Sequence, residues 1–259
     1  MTMTTPAPAP LDLEADVLAR DWFYRFTLPS GAVTGSAHAP DILAIHDTRW
    51  TMAEAALREA FPEAESRGSA VDLACHQGWF SLKLREFGFR AVHGIDARQQ
   101  HVEDARLIAS ATGTEHVAFS RGDVHGLSPA IVGTHDLVLC FGLLYHLENP
   151  VGALRVARAL CKRLCLIETQ VAPGQTGVVD YGSYRFVKPI EGSFVIVDET
   201  DETHGPEAST LGISLIPSLE ALHFILRKVG FSRVEVLPVP EGGYEQLRYG
   251  KRVVLAAWV

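Results

Sequence analysis

The stretch VDLACHQGWFSLKLREFGFRAVHGIDA, residues 71–97, brings together residue types suited to holding a nucleotide-like ligand. An apolar run carrying Asp72 enters a tight turn, Ala74–Cys75–His76–Gln77–Gly78, and an amphipathic segment follows. A second apolar run ends on Asp96, 18 residues beyond Gly78. That is close to the roughly 20-residue offset between a ligand-binding turn and a ribose-binding acid. A further acid, Asp123 with Val124 after it, ends the next apolar run and is placed to accept from an exocyclic amine. A strand–turn–helix unit presents backbone N–H groups and a helix N-terminus at the carboxyl edge of a sheet. Pyrophosphate-binding turns use several glycines for close backbone approach, whereas this turn has only Gly78 at a matching position, with Ala74 and His76 in other slots. His is enriched among non-glycine residues at positive φ, so the turn is feasible, but the imidazole leaves little room for a pyrophosphate. A ligand without phosphates fits better, and S-adenosyl-L-methionine is one: its amino-acid end meets the loop and its ribose meets Asp96.

The elements that must position these residues alternate. Apolar runs at 70–74, 91–95, 116–120, 135–140 and 162–168 are separated by helical patterns at 78–87, 98–111 and 150–159, with a short one near 127–131. This order predicts a parallel α/β sheet. VDLAC, HDLVLCF and RLCLIET are almost continuously apolar, as strands covered on both faces are. After a helix at 218–229, FSRVEVLPV and KRVVLAAWV form two strands without a helix between them, which predicts an antiparallel C-terminal hairpin. Upstream, the pattern gives a short helix at 11–20, two β-like pieces broken at Pro29–Gly31 and Gly35, and a helix over 47–60 with Thr51 and Glu54 at capping-box spacing. The Pro/Ala/Thr-rich residues 1–10 read as a disordered tail, 11–66 as a helical and β extension forming a lid, and 67–259 as the main domain. Residues 170–212 interrupt that domain with a Gly-, Pro- and acid-rich insertion, a length that suggests a lid or binding segment.

VDLACHQGWFSLKLREFGF, FSRGDVHGL and HDLVLCFGLLYHLENPVGAL together resemble a class I S-adenosylmethionine-dependent methyltransferase over roughly residues 68–168. Within it, ACHQGWFS, LYHLENP and the N-terminal WFYRFTLPSGAVTG resemble most closely the tRNA wobble-uridine (5-hydroxyuridine) methyltransferase-like family. Ala74 replaces that family's Gly, and His76–Gln77 its Asn-Asp. The resemblance implies a Rossmann-like seven-stranded, mostly parallel sheet ending in an antiparallel hairpin. It also implies a methyl donor, ordinary or carboxylated, held by Asp72, Ala74, His76, Gly78, Asp96, Ala97, Asp123, Val124, Phe141 and Gly142.

Methyl transfer is an in-line displacement in which the enzyme positions the acceptor and sometimes removes a proton. Tyr145 and His146, just past the fourth apolar run, are the polar groups nearest the expected methyl position, and His146 is the candidate base. Trp22, Tyr24 and Arg25 in the N-terminal segment, with Tyr181, Tyr184 and Arg185 in the insertion, are candidate acceptor contacts, since aromatics interleaved with cations suit an anionic or aromatic acceptor. No H-E-x-x-H or similar ligand spacing points to a metal. The net charge of −8 and the run DETDET at 198–203 disfavour a phosphate backbone as partner, so a small-molecule acceptor is expected, with tRNA as the competing class and non-catalytic cofactor binding as a third. Four cysteines without a C-x-x-C pair suit reduced thiols in a cytoplasmic protein, no apolar run is long enough to span a membrane, and no oligomeric state is implied.

Overall fold

The computed structural model describes residues 10–181, 184–199, 209 and 212–259. Seven strands form the central sheet: β1 (Ser69–Leu73), β2 (Ala91–Asp96), β3 (Val117–Arg121), β4 (His135–Phe141), β5 (Cys161–Gln170), β10 (Arg233–Val236) and β11 (Arg252–Trp258). Their order is β10-β11-β5-β4-β1-β2-β3. Pairing is parallel from β3 through β5, while β11 is antiparallel to both β5 and β10. The expected C-terminal hairpin is therefore present at the sheet edge. Chain direction along the sheet reverses between β1 and β4, and open α/β sheets bind ligands in the crevice at such a switch point.

The apolar runs explain the layering. Side chains alternate faces along a strand, so Leu137 and Leu139 of β4 enter one buried cluster while Val138 and Cys140 enter the other. The first cluster is closed by α2 (Pro40–Ala60), α3 (Trp79–Phe87) and α4 (Gln99–Ala111). The second is closed by α6 (Pro150–Leu160) and α7 (Leu219–Val229). Burying one Leu or Ile in either layer contributes about 1.5–3 kcal/mol. All four cysteines are buried free thiols, and burial pushes Cys140 up to about 12.

Two expectations upstream need correction. The second helix begins at Pro40, not near 47, because Pro at the first helical position needs no hydrogen-bonded N–H. Thr51 is therefore mid-helix, and its hydroxyl donates to the Asp47 carbonyl instead of capping. The two β-like pieces of 21–40 reduce to a single bridge between Thr27 and Val33. The first helix, α1, spans Pro10–Leu18. The predicted short helix near 127–131 is split into a 3-10 turn at Val124–Gly126 and α5 (Pro129–Val132). In the insertion, β6 (Thr176–Tyr181) pairs with β7 (Tyr184–Glu191), and β8 (Phe194–Asp198) pairs with β9 (Ile213–Pro217) just past its end, both antiparallel. The last helix is α8 (Glu245–Arg248), within the link between β10 and β11. Among the described residues, no helix is long and apolar enough to cross a membrane.

Candidate active site

The turn after β1 has the unusual backbone its letters suggest. Ala74 and His76 have φ of 59° and 50°, and Gly78, which caps α3, has φ of 82°. At Gly78 a Cβ would lie 2.8 Å from the Phe119 ring and 3.0 Å from Ala105, so only glycine lets the helix enter here. Asp96 holds the turn in place. Its Oδ2 accepts from the His76 N–H at 2.9 Å, and its Oδ1 accepts from the Arg98 N–H at 2.9 Å and faces His101 Nδ1 at 3.1 Å. Burial alone would raise the Asp96 pKa, but these bonds outweigh it and hold the group below the usual carboxylate range. The His76 and His101 rings stack at 3.8 Å.

Gln77 fastens the N-terminal segment to this turn. Its Oε1 accepts from the Phe23 N–H at 2.8 Å, and its Nε2 donates to Asp104 Oδ2 at 3.1 Å and to the Asp21 carbonyl at 3.3 Å. Arg20 pairs with the same Asp104. Phe23 then lies against His76, and Tyr24 stacks on Trp79. His46, behind these rings, has neither ring nitrogen hydrogen-bonded; burial first, and then Arg49, pushes its pKa down to about 2, so it is neutral.

Two adjoining cavities open along the carboxyl edge. One, about 370 Å³, is lined by the ends of β2 and β3 and by the turn after β4, including Asp96, Ala97, Asp123 and Val124. The other, about 310 Å³, reaches from Asp72, His76 and Phe141 to Phe23, Arg49, Tyr145 and Arg252. Ala74, Asp96, Arg98, Leu143 and His146 belong to both. Of the residues expected to hold a cofactor, all but Gly78 line one of these cavities, and Gly78 shapes the turn from behind. A larger depression of about 730 Å³, between the β6–β7 hairpin and α7, contains none of these residues. Asp123 is largely exposed, and its Oδ1 accepts from the His125 N–H at 2.9 Å. Asp72 is buried and accepts the Ser81 hydroxyl at 2.7 Å. Burial pushes its pKa up to about 7 against that hydrogen bond, with Asp96 adding to the rise.

The wall of the second cavity rests on a buried ionic trio. Glu168, at 0% exposure, pairs with Arg49 Nη2 at 2.8 Å and Arg252 Nη1 at 3.0 Å. Its Oε2 also accepts from the Gly142 N–H at 3.1 Å. Burial opposes ionisation of Glu168, but the two guanidiniums hold its pKa below the usual range. Burial opposes the charge on Arg252, but Glu168 outweighs it and raises the pKa; the guanidinium also lies over the Tyr145 ring at 4.6 Å. Two cations share one carboxylate, so this end of the cleft carries an excess of positive charge. His146, on the 3-10 turn Leu144–His146, has Nδ1 2.5 Å from Glu199 Oε1.

The acceptor candidates divide. Tyr24, Tyr145 and His146 line the second cavity, and Phe23 joins them. Trp22 is 1% exposed and donates to the Val17 carbonyl, acting as a core anchor, while Arg25 points to solvent. Neither lines either of these two cavities. Tyr181 and Tyr184 pair across the β6–β7 hairpin and Arg185 follows on β7; their side chains lie outside the described residues. In the acidic run, 200–203 also lie outside them. Arg49, Arg98, His101, Glu168, Glu199 and Arg252 were not singled out from the sequence. A charged residue inside an apolar strand, as in RLCLIET, or leading one, as in KRVVLAAWV, was the available signal. Among the described residues, no three His, Cys, Asp or Glu side chains cluster as a metal site.

The chain is similar to known methyltransferases. The chain is 26% identical over 150 residues to a ubiquinone biosynthesis O-methyltransferase of Vibrio parahaemolyticus, covering 51% of this chain and 63% of that one. It is 28% identical over 168 residues to a tRNA U34 carboxymethyltransferase of Trichodesmium erythraeum, covering 63% and 44%. The chain thus spans between about two fifths and two thirds of the length of these relatives. Among solved structures, the N-terminal domain of EvdMO1 in the presence of SAH and D-fucose superposes with a TM-score of 0.69 at 20% identity, covering 96% of this chain and 95% of that one. Magnesium protoporphyrin IX methyltransferase from Synechocystis, with bound SAH, superposes at 0.55 and 14% identity, covering 96% and 93%. Residues 45–236, most of the chain, match the family described as Methyltransferase domain, and the chain belongs to that family.

Proposed function

We propose that this chain transfers the methyl group of S-adenosylmethionine to a small acceptor bound beside Phe23, Arg49, Tyr145 and Arg252. The observation that carries the reading is the pair of cavities meeting at Ala74, Asp96 and His146, with the cofactor-type loop on one side and the cationic wall on the other. Cavities of about 370 and 310 Å³ fall at the small-molecule end of ligand sites. The residues fit the cofactor: a glycine-capped turn, a buried acid after β2 and an apolar rim at Val124 and Leu143. When bound, S-adenosylmethionine supplies an electrophilic methyl group on a sulfonium.

The chain's own residues do the rest. Asp96 accepts from the ribose; a carboxylate has about four lone-pair sites, and His76, Arg98 and His101 occupy three. Asp123 and Val124 border the adenine side, and Phe141 with Gly142 the sulfur side. Arg49 and Arg252 attract an acceptor bearing negative charge, and Phe23 and Tyr24 exclude water above it, which strengthens positioning in a dry site. His146 is the base if the acceptor carries a proton. Trp22 anchors the covering segment 11–66, and β9 is tied to the His146 turn at the same edge. The protein's formal charge of −8 supports a metabolite over an RNA backbone.

Calorimetry with S-adenosylhomocysteine checks the cofactor half. Asp96→Ala should weaken binding about 10–100-fold, the loss of one charge-assisted hydrogen bond at roughly 1.5–3 kcal/mol. Unchanged affinity in a folded variant removes Asp96 from the site. A crystal structure of the same complex checks the acceptor half: an enclosed space beyond sulfur too small for a nucleoside supports the metabolite, and an open groove leading away between ordered lysines and arginines replaces it with RNA.

A further inference from the structure

We infer that Glu199 and His146 form a catalytic dyad for which the acceptor atom is a hydroxyl oxygen. The inference rests on the methyltransferase reading above and assigns its acceptor chemistry. His146 stands where the two cavities join, on the turn that follows β4. Its Nδ1 is 2.5 Å from Glu199 Oε1. Side-chain exposure differs sharply: 1% for Glu199 and 20% for His146, so the carboxylate is buried while the imidazole lines both cavities. Glu199 comes from the insertion, 53 residues away, and is fixed there. Its Oε2 accepts from the Ser209 N–H at 3.0 Å, and its own N–H donates to the Gly212 carbonyl at 2.8 Å. The Leu215 N–H of β9, the strand paired with β8 just past the insertion, donates to the Leu147 carbonyl at 3.0 Å, which ties this pair to the His146 turn.

A buried carboxylate against Nδ1 does two things to an imidazole. It keeps the proton on Nδ1, so that Nε2 presents a lone pair, and it stabilises the imidazolium that forms when Nε2 takes a proton. That device does most for a hydroxyl, since an activated carbon can attack first and lose its proton afterwards. A thiol reaches its thiolate form near neutral pH without much help, and an amine attacks through a lone pair it already has once neutral. A hydroxyl must lose its proton as it attacks. The balance is simple: the hydroxyl oxygen forms its bond to the methyl carbon as the carbon–sulfur bond breaks, and that electron pair stays on sulfur. The hydroxyl proton passes to His146 Nε2 and then to water. Glu199 touches neither substrate and acts as a positioning residue.

The first test needs no acceptor. Nitrogen-15 correlation spectra of the histidines in the full chain, with and without S-adenosylhomocysteine, should show His146 as the Nδ1–H tautomer. Glu199→Gln offers an amide N–H to Nδ1 and should move the proton to Nε2, with cofactor affinity unchanged. An Nε2–H tautomer in the wild-type protein, or no tautomer response in a folded Glu199→Gln, overturns the dyad. The second test supplies methyl-labelled S-adenosylmethionine and a small-metabolite extract, and identifies the labelled product. A methyl ether or ester, with kcat lowered about 100-fold or more in Glu199→Gln at little-changed KM, is expected. An N-, S- or C-methyl product overturns the hydroxyl assignment. Failure of the wild-type chain to bind S-adenosylhomocysteine defeats the parent reading, a result separable from the tautomer.

Discussion

The two lobes of the cleft are built by opposite means. The lobe around Asp96 and Asp123 is made of strand ends and turns within a short span of chain, and its shape is set by backbone: positive φ at Ala74, His76 and Gly78, and carboxylates accepting from N–H groups. The lobe around Arg49 and Arg252 is made of side chains brought from α2, β5 and β11, and its shape is set by buried charge. In the proposed function the first lobe takes the ligand part common to many methyltransferases, which suits a backbone device. The second lobe is then the acceptor's, and side chains can be exchanged there without disturbing the sheet.

The largest expected effect tests the ionic lobe. Glu168→Gln leaves Arg49 and Arg252 facing each other without their shared carboxylate, and removing one partner of a buried ion pair costs about 3–5 kcal/mol. Urea unfolding should show the loss. Replacing all three together (Arg49→Met, Glu168→Leu, Arg252→Leu) should recover most of it, because an apolar trio incurs no ion desolvation. A triple variant as unstable as the single would mean that packing, not charge, sustains this wall.

The backbone lobe is tested by a pair of substitutions with opposite expectations. Gly78→Val adds a Cβ against Phe119 and Ala105 and forces a β-branched residue to a φ of 82°, together about 2–4 kcal/mol. Cofactor binding should be lost with it. His76→Gly relieves a strained φ of 50° but removes the stack on His101, so stability should change by less than about 1 kcal/mol. Thermal melts and S-adenosylhomocysteine titrations of the two variants provide the ranking; the reverse order would make the imidazole itself a ligand contact.

The contrast also explains what the sequence could reveal. The parallel sheet, the hairpin and the positions of Asp72, Asp96 and Asp123 are legible in the sequence because alternation of apolar runs and acids at strand ends are local patterns. The start of α2 was misplaced because Thr51 and Glu54 imitate a cap, while Pro40, a start signal, lay in a segment read as β-like. Glu168 was invisible because its meaning comes from Arg49 and Arg252, far away in the chain on either side. Glu199 shows in the sequence only as part of DETDET, an acidic run that disfavours a phosphate backbone; burial against His146 is a property of the folded insertion.

The smallest effect is a proton. Asp72 lies on β1 beneath the turn, and burial first, opposed by the Ser81 hydroxyl and reinforced by Asp96, pushes its pKa up to about 7. It lines the cavity where the cationic end of the cofactor is expected. A cation placed near it favours the carboxylate, so binding should expel the proton that part of the Asp72 population holds near neutrality. The affinity for S-adenosylmethionine should therefore rise with pH between about 6 and 8, by roughly tenfold at most, since one linked proton is worth about 1.4 kcal/mol per pH unit. Stability of the free protein runs the other way. The folded-state pKa is above the unfolded value of 3.8, so the fold retains a proton that the unfolded chain releases, and this contribution declines as pH rises from about 4 through 7. Asp72→Asn should thus be more stable than wild type at pH 8 and should bind cofactor with a flatter pH profile. Calorimetry of both proteins in buffers of different ionisation enthalpy isolates Asp72 from the titration of the cofactor's own amino group. Equal proton release by the two proteins would place the cofactor's positive charge away from β1 and return the burden of holding it to the backbone of the turn.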